Sequence, residues 1–96
     1  MEKYSQKELN KRVSEVLYYL WDPIGVSFAP EARSEYETYV FQVVEILGKT
    51  DDILELAKLL SEIRTQSMRL PENMTKDLET AQLLHDHKQA LIEGLA

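Results

Sequence analysis

The sequence predicts an all-α fold: a compact bundle of three core helices plus a C-terminal fourth helix, in a single domain over residues 1–96. Three observations predict it. Apolar residues recur in steps of three and four along four segments, the spacing that gathers them on one face of a helix. No alternating apolar–polar run is long enough for a sheet. With only 3 glycines and 3 prolines, turn signals are too few for many short strands.

The first helix is expected over residues 5–21. Its stripe is Leu9, Val13, Val16, Leu17, Leu20 and Trp21. Ser5 can accept from the free amides of the first turn, and Glu8 three residues on completes the pattern of a capping box. Asp22-Pro23 ends it, because the residue before a proline is pushed out of the α region.

The loop Asp22–Ala29 follows, and Pro30 then suits a first helical turn, where its missing N–H costs nothing. The second helix, 30–47, carries Tyr36, Tyr39, Val40, Val43, Ile46 and Leu47 on one face, with Gly48 as its expected left-handed stop. Lys49-Thr50 is a tight link, and Thr50 or Asp51 is expected to cap the third helix, 51–68. Its stripe is Ile53, Leu56, Ala57, Leu60 and Ile63, extended to Ser67; Leu54 and Leu59 broaden the apolar arc enough for two neighbours. After Leu70-Pro71 comes the fourth helix, 72–93, with Met74, Leu78, Ala81, Leu84 or His85, Lys88 and Leu91/Ile92 at helical spacing and Gly94 fraying its end. It is the most polar of the four. Short connections make neighbours antiparallel, so the first three should form the core. The fourth packs across them or reaches a partner, and a homodimer through this C-terminal helix is one way to complete its sparse stripe.

Charge narrows the partners. The chain carries −6 overall, and between Glu31 and Glu62 eight acids face three bases, a net of −5. Such a field repels phosphate backbones and attracts basic proteins, so a protein partner is expected and nucleic acid is not. The charge-free apolar stretches Val16–Trp21 and Thr38–Val44 fall far short of the roughly 20 residues that span a bilayer, so no membrane is expected. The first residues, charged from the start, do not read as a signal peptide, and the absence of cysteine favours a cytoplasmic location.

The same inventory argues against several chemistries. Without cysteine there is no thiolate nucleophile and no Cys-ligated metal. His85 and His87 are two apart, about 200° around a helix, so their rings face different ways and cannot grip one ion. The carboxylate pairs Glu31/Glu35 and Asp51/Glu55 stand four apart, but acids in a first helical turn are favoured by the dipole alone. Phosphate-cradling glycine loops and a Gly-x-Ser-x-Gly elbow are absent from the sequence. No cofactor is expected, and the chain does not read as an enzyme.

The segment richest in information is Leu20-Trp21-Asp22-Pro23-Ile24-Gly25-Val26. Asp22 can accept from the amides of Ile24 or Gly25 in an Asx-turn, Ile24 and Val26 would point into the helix interface, and Trp21 would lie over it with its N–H finding an acceptor. A rigid loop of this kind, beside Glu35-Tyr36, is also a natural binding surface. The candidate site is therefore Trp21, Asp22, Pro23, Ile24, Gly25, Glu35 and Tyr36.

This run, followed ten residues later by Glu35-Tyr36-x-x-Tyr39-Val40, resembles the YugE-like group of small helical bacterial proteins. In that family a Trp- or Tyr-Asp-Pro-Ile-Gly loop precedes a Glu-Tyr-x-x-Tyr helix, and a third helix ends near a Met-Gly-Leu turn. Here Met68-Arg69-Leu70 stands at that turn, with Arg69 in place of glycine. The resemblance covers Val13–Leu70 and implies a fold without implying a reaction, cofactor or ligand. Two functional readings stay open. One is a non-enzymatic interaction module, in its sharpest form immunity- or antitoxin-like, whose acidic face covers a basic effector. The other is a small-ligand binder or enzyme using the Trp21–Gly25 loop and the carboxylates of the second helix.

Overall fold

The computed structural model describes residues 5–21, 33–67 and 69–94, with the backbone alone at 33–36. Among these residues every regular element is helical. Helix α1 (Gln6–Glu15) continues into a π-helical turn, π1 (Val16–Trp21); α2 is Arg33–Lys49; α3 (Ile53–Glu62) continues into a second π-helical turn, π2 (Ile63–Ser67); α4 is Met74–Glu93. The loop after Trp21 and the expected start at Pro30 lie outside the described residues.

Local chemistry sets most of the boundaries. Ser5 Oγ accepts from the Glu8 amide at 3.2 Å, as its position before the apolar stripe predicts. The Glu8 carboxylate is used elsewhere, on Arg12 at 3.3 Å. At the start of α3 the cap is Asp52, after both expected positions, Thr50 and Asp51. Asp52 accepts from the Leu54 amide at 2.9 Å, while Thr50 Oγ1 accepts from Asp52 N at 3.0 Å. Asp51 is thereby left outside the helix, its side chain available to another element. Asn73 caps α4 by accepting from Lys76 N at 3.1 Å.

The two glycine expectations are reversed. Gly48 does not stop α2, which runs on to Lys49. It is Gly94 that takes the left-handed conformation, φ 73°, as the cap that ends α4.

The π turns decide which side chains face inward. At about 100° per residue, Leu20 would stand in line with Leu9 and Val13, and Trp21 about a third of a turn away. A π turn bonds i to i+5 and advances less per residue. That slack brings Trp21 onto the buried face (3% exposed) and carries Leu20 off it (56% exposed). Leu20, expected in the stripe, faces solvent. Ser67 is rotated out by π2 in the same way and is exposed.

Each helix packs on two neighbours: α1 on α2 and α4, and α3 on α4 and α2. The closest partnership is α3 with α4, and the sparsest is α2 with α3. The core inside this ring draws Leu9, Val13 and Leu17 from the first helix, Val43 and Leu47 from α2, Leu56 and Leu60 from α3, and Ala81 and Leu84 from α4. A fully buried leucine stabilises by roughly 1.5–3 kcal/mol, so these positions carry the fold. Helix α4 is thus packed into the bundle. Its Met74, Leu78, Leu83 and Leu91 are partly buried against the core.

Candidate functional site

The inward line of α4 runs through Asp77, Ala81, Leu84 and Lys88, so both ends of its buried face are charged. Each charge has built a polar site around itself.

At the N-terminal end, Asp77 is fully buried. Its Oδ1 accepts from Arg64 Nη2 at 2.8 Å and from Trp21 Nε1 at 2.8 Å, and Arg64 Nε lies 3.2 and 3.3 Å from the two carboxylate oxygens. The Arg64 guanidinium also sits over the Trp21 ring, 5.5 Å from its centroid. Trp21 ends π1 and Arg64 lies in π2, so both π turns deliver a side chain to the same acid. The fork of the guanidinium matches a carboxylate in two-point geometry, which a lysine could not supply.

At the other end, Lys88 Nζ donates to the Leu47 carbonyl, in the last turn of α2, and to Asp51 Oδ1 at 2.9 Å. His85 Nε2 lies 3.8 Å from the same Asp51 oxygen. His87 turns instead towards α1, its Nδ1 3.2 Å from Arg12 Nη1. The two rings face different elements, as their spacing predicts. Among the described residues no three metal-ligating side chains converge.

Of the sequence-predicted site residues, Trp21 is placed firmly: buried, over the helix interface, with its N–H on an acceptor. Asp22, Pro23, Ile24 and Gly25 lie outside the described residues, and Glu35 and Tyr36 belong to the part of α2 whose side chains are not described. The pair Asp51/Glu55 does not form one helical face. Asp51 precedes the Asp52 cap and turns to Lys88, while Glu55 sits in the first turn of α3.

Apolar periodicity misses Asp77 and Arg64 because it skips charged residues. A signal for both is nevertheless present in the spacing. Arg64 stands seven residues, or about two helical turns, after the buried Ala57, and Asp77 stands four before the buried Ala81. As chemistry, this cluster is inward-facing: the acid is sealed, bonded on both oxygens, and leaves no reacting group to solvent.

What the described surface does offer is a cleft between α2 and α3. It encloses about 400 Å³ and is lined by Gln42, Glu45, Ile46 and Lys49 from one helix and Glu55 and Leu59 from the other. Phe41 and Leu54, the neighbours in sequence of Gln42 and Glu55, are 67% and 61% exposed. Compared with family models, curated proteins and solved structures, the chain matches none.

Proposed function

We propose that this chain is a non-enzymatic interaction module whose α2–α3 hairpin recognises a basic protein partner in the cytoplasm. One observation carries the reading. The exposed acids Glu37, Glu45, Asp52, Glu55 and Glu62 outnumber Lys49 and Lys58 along this hairpin, and two of them, Glu45 and Glu55, line a cleft with apolar residues in its lining. Asp51 does not contribute to that surface charge, being engaged by Lys88. The field attracts cations and disfavours nucleic acid. Its narrower form, an immunity- or antitoxin-like protein masking a basic effector, is supported by size, acidity and helical form.

The rival reading, a ligand pocket built on Trp21, needs that indole at a surface. Its burial against Asp77 argues the other way. Membership of the YugE-like group is supported by one further detail. Arg69, standing where that pattern has glycine, holds a left-handed backbone at φ 55°, the conformation glycine adopts most readily.

The test compares the protein with its Glu45→Arg/Glu55→Arg variant, whose positions are exposed and leave the core untouched. A basic partner should be retained by the wild type at low salt, released at high salt, and lost by the variant. Association indifferent to both salt and charge reversal would reject the reading.

A further inference from the structure

We propose that the cleft between α2 and α3 is a docking groove for an amphipathic, basic α-helix of the protein partner. This rests on the interaction reading above and specifies the form the partner takes.

The cleft follows from how the bundle is closed. Among the described residues α2 leans mainly on α1 and α3 mainly on α4, so the α2–α3 pair is the loosest seam of the ring, tied at one end by the link Thr50 to Asp52. Ile46 and Leu59 face this seam. Both are partly buried and packed on the core, so they form an apolar floor that the described residues leave half covered. From Gln42 to Lys49 the lining of α2 extends about two turns, or about 10 Å. That length suits a helix presenting anchors at i, i+4 and i+7, the pattern by which amphipathic helices enter apolar grooves. The polar lining residues Gln42, Glu45, Lys49 and Glu55 are long surface side chains. Such a rim fits a partner that brings its own polar edges better than it fits a small molecule.

Charge chooses among helices. Glu45 stands on one wall and Glu55 on the other, so a helix lying between them meets a carboxylate on each flank. Among the described residues Glu55 has no ion pair, and Glu45 is met by Lys49 at 3.5 Å in an exposed i,i+4 contact. Surface pairs of that kind are weak, and an arriving lysine or arginine can share or displace them. An acidic helix would meet a carboxylate on each wall and Lys49 as the one lining cation, itself already beside Glu45.

The probe is a synthetic helix-forming peptide of about 15 residues, with leucine at i, i+4 and i+7 and lysine on both flanks. A scrambled peptide of equal composition, which spreads the leucines around the helix, is the control. Amide chemical shifts of the intact labelled protein are followed during titration. The expected result is saturable shifts centred on Gln42, Ile46, Glu55 and Leu59, with the scrambled peptide at least about tenfold weaker. The Glu45→Arg/Glu55→Arg variant should bind the amphipathic peptide at least about tenfold more weakly, with its unbound spectrum otherwise preserved. Equal binding of both peptides, with shifts scattered over acidic residues outside the cleft, would overturn the groove while leaving an acidic interaction face intact. No shift with either peptide at low salt would overturn the groove and the acidic interaction face together.

Discussion

Helix α4 buries two opposite charges on one face, eleven residues apart, and the bundle treats them differently. Asp77 is enclosed by side chains that are themselves buried, Arg64 at 6% and Trp21 at 3% exposure. Lys88 is 7% exposed but reaches outward, to the Leu47 carbonyl and to an Asp51 side chain that is 72% exposed. One end is a closed internal pair, and the other is a clamp with one jaw in water. A closed pair gains little over apolar residues of similar size, because desolvating both ions offsets their attraction, yet losing one partner strands the other. Losing Lys88 from the half-open clamp strands no buried charge, because Asp51 is mostly in water. The difference teaches where the fold is brittle: at the junction of π1, π2 and the start of α4.

The largest expected effect breaks the closed pair. Asp77→Ala leaves the Arg64 guanidinium buried without an acceptor and should cost about 3–5 kcal/mol in urea denaturation, a large fraction of the stability of a domain this size. Replacing both partners, Arg64→Met with Asp77→Leu, should lie much nearer the wild type, because no charge is then stranded. A double variant as unstable as the single one would mean that the ion pair itself carries the energy, and the contrast between the two ends would need another cause.

Trp21→Phe tests the third member. It removes the indole N–H from Asp77 while keeping an aromatic ring under Arg64, and should cost about 1.5–3 kcal/mol as a lost bond to a charged group. Lys88→Met keeps the aliphatic stem and loses the clamp. Asp51 is left to water, while the buried Leu47 carbonyl loses its donor, so the same denaturation experiment should show about 1–2 kcal/mol. If Lys88→Met proves as damaging as Asp77→Ala, the half-open description of that end is wrong.

These ends also mark where the sequence stops being readable. The apolar stripes announce the four helices, and Leu9, Val13, Val43, Leu56 and Leu84 all lie where periodicity puts them. Periodicity assumes one constant turn per residue. It therefore keeps Leu20 inside and Ser67 on the core face, where π1 and π2 turn them out. It also assumes that buried means apolar, so it finds Lys88 on the stripe of α4 but misses Asp77, where that inward line begins. Trp21 is recognisable as a residue needing an acceptor, but its acceptor lies 56 residues away and no local pattern points there. The cleft is no more legible. It arises from how tightly each helix pair packs, a property of the assembled ring rather than of any one segment.

The smallest predicted effect runs in the stabilising direction and belongs to the closed end alone. Arg69 is a non-glycine residue with φ 55°, and its turn lets the Leu70 amide close on the Arg64 carbonyl at 2.9 Å. That bond spans six residues, one more than the usual 6→1 closure of an α-helix with a left-handed cap, as expected where the last turn is π-wound. The left-handed conformation costs an L-residue with a side chain roughly 1–2 kcal/mol, and glycine escapes that cost while losing about 0.5–1 kcal/mol in chain entropy. Arg69→Gly should therefore stabilise by about 0.5–1 kcal/mol, raising the denaturation midpoint. It should also slow hydrogen exchange at Leu70 without altering amides near Lys88. Because the Arg69 side chain is exposed, little packing is lost to obscure the gain. A destabilised Arg69→Gly protein would mean that the arginine contributes contacts outweighing its backbone strain, and would separate the turn after π2 from the strain argument altogether.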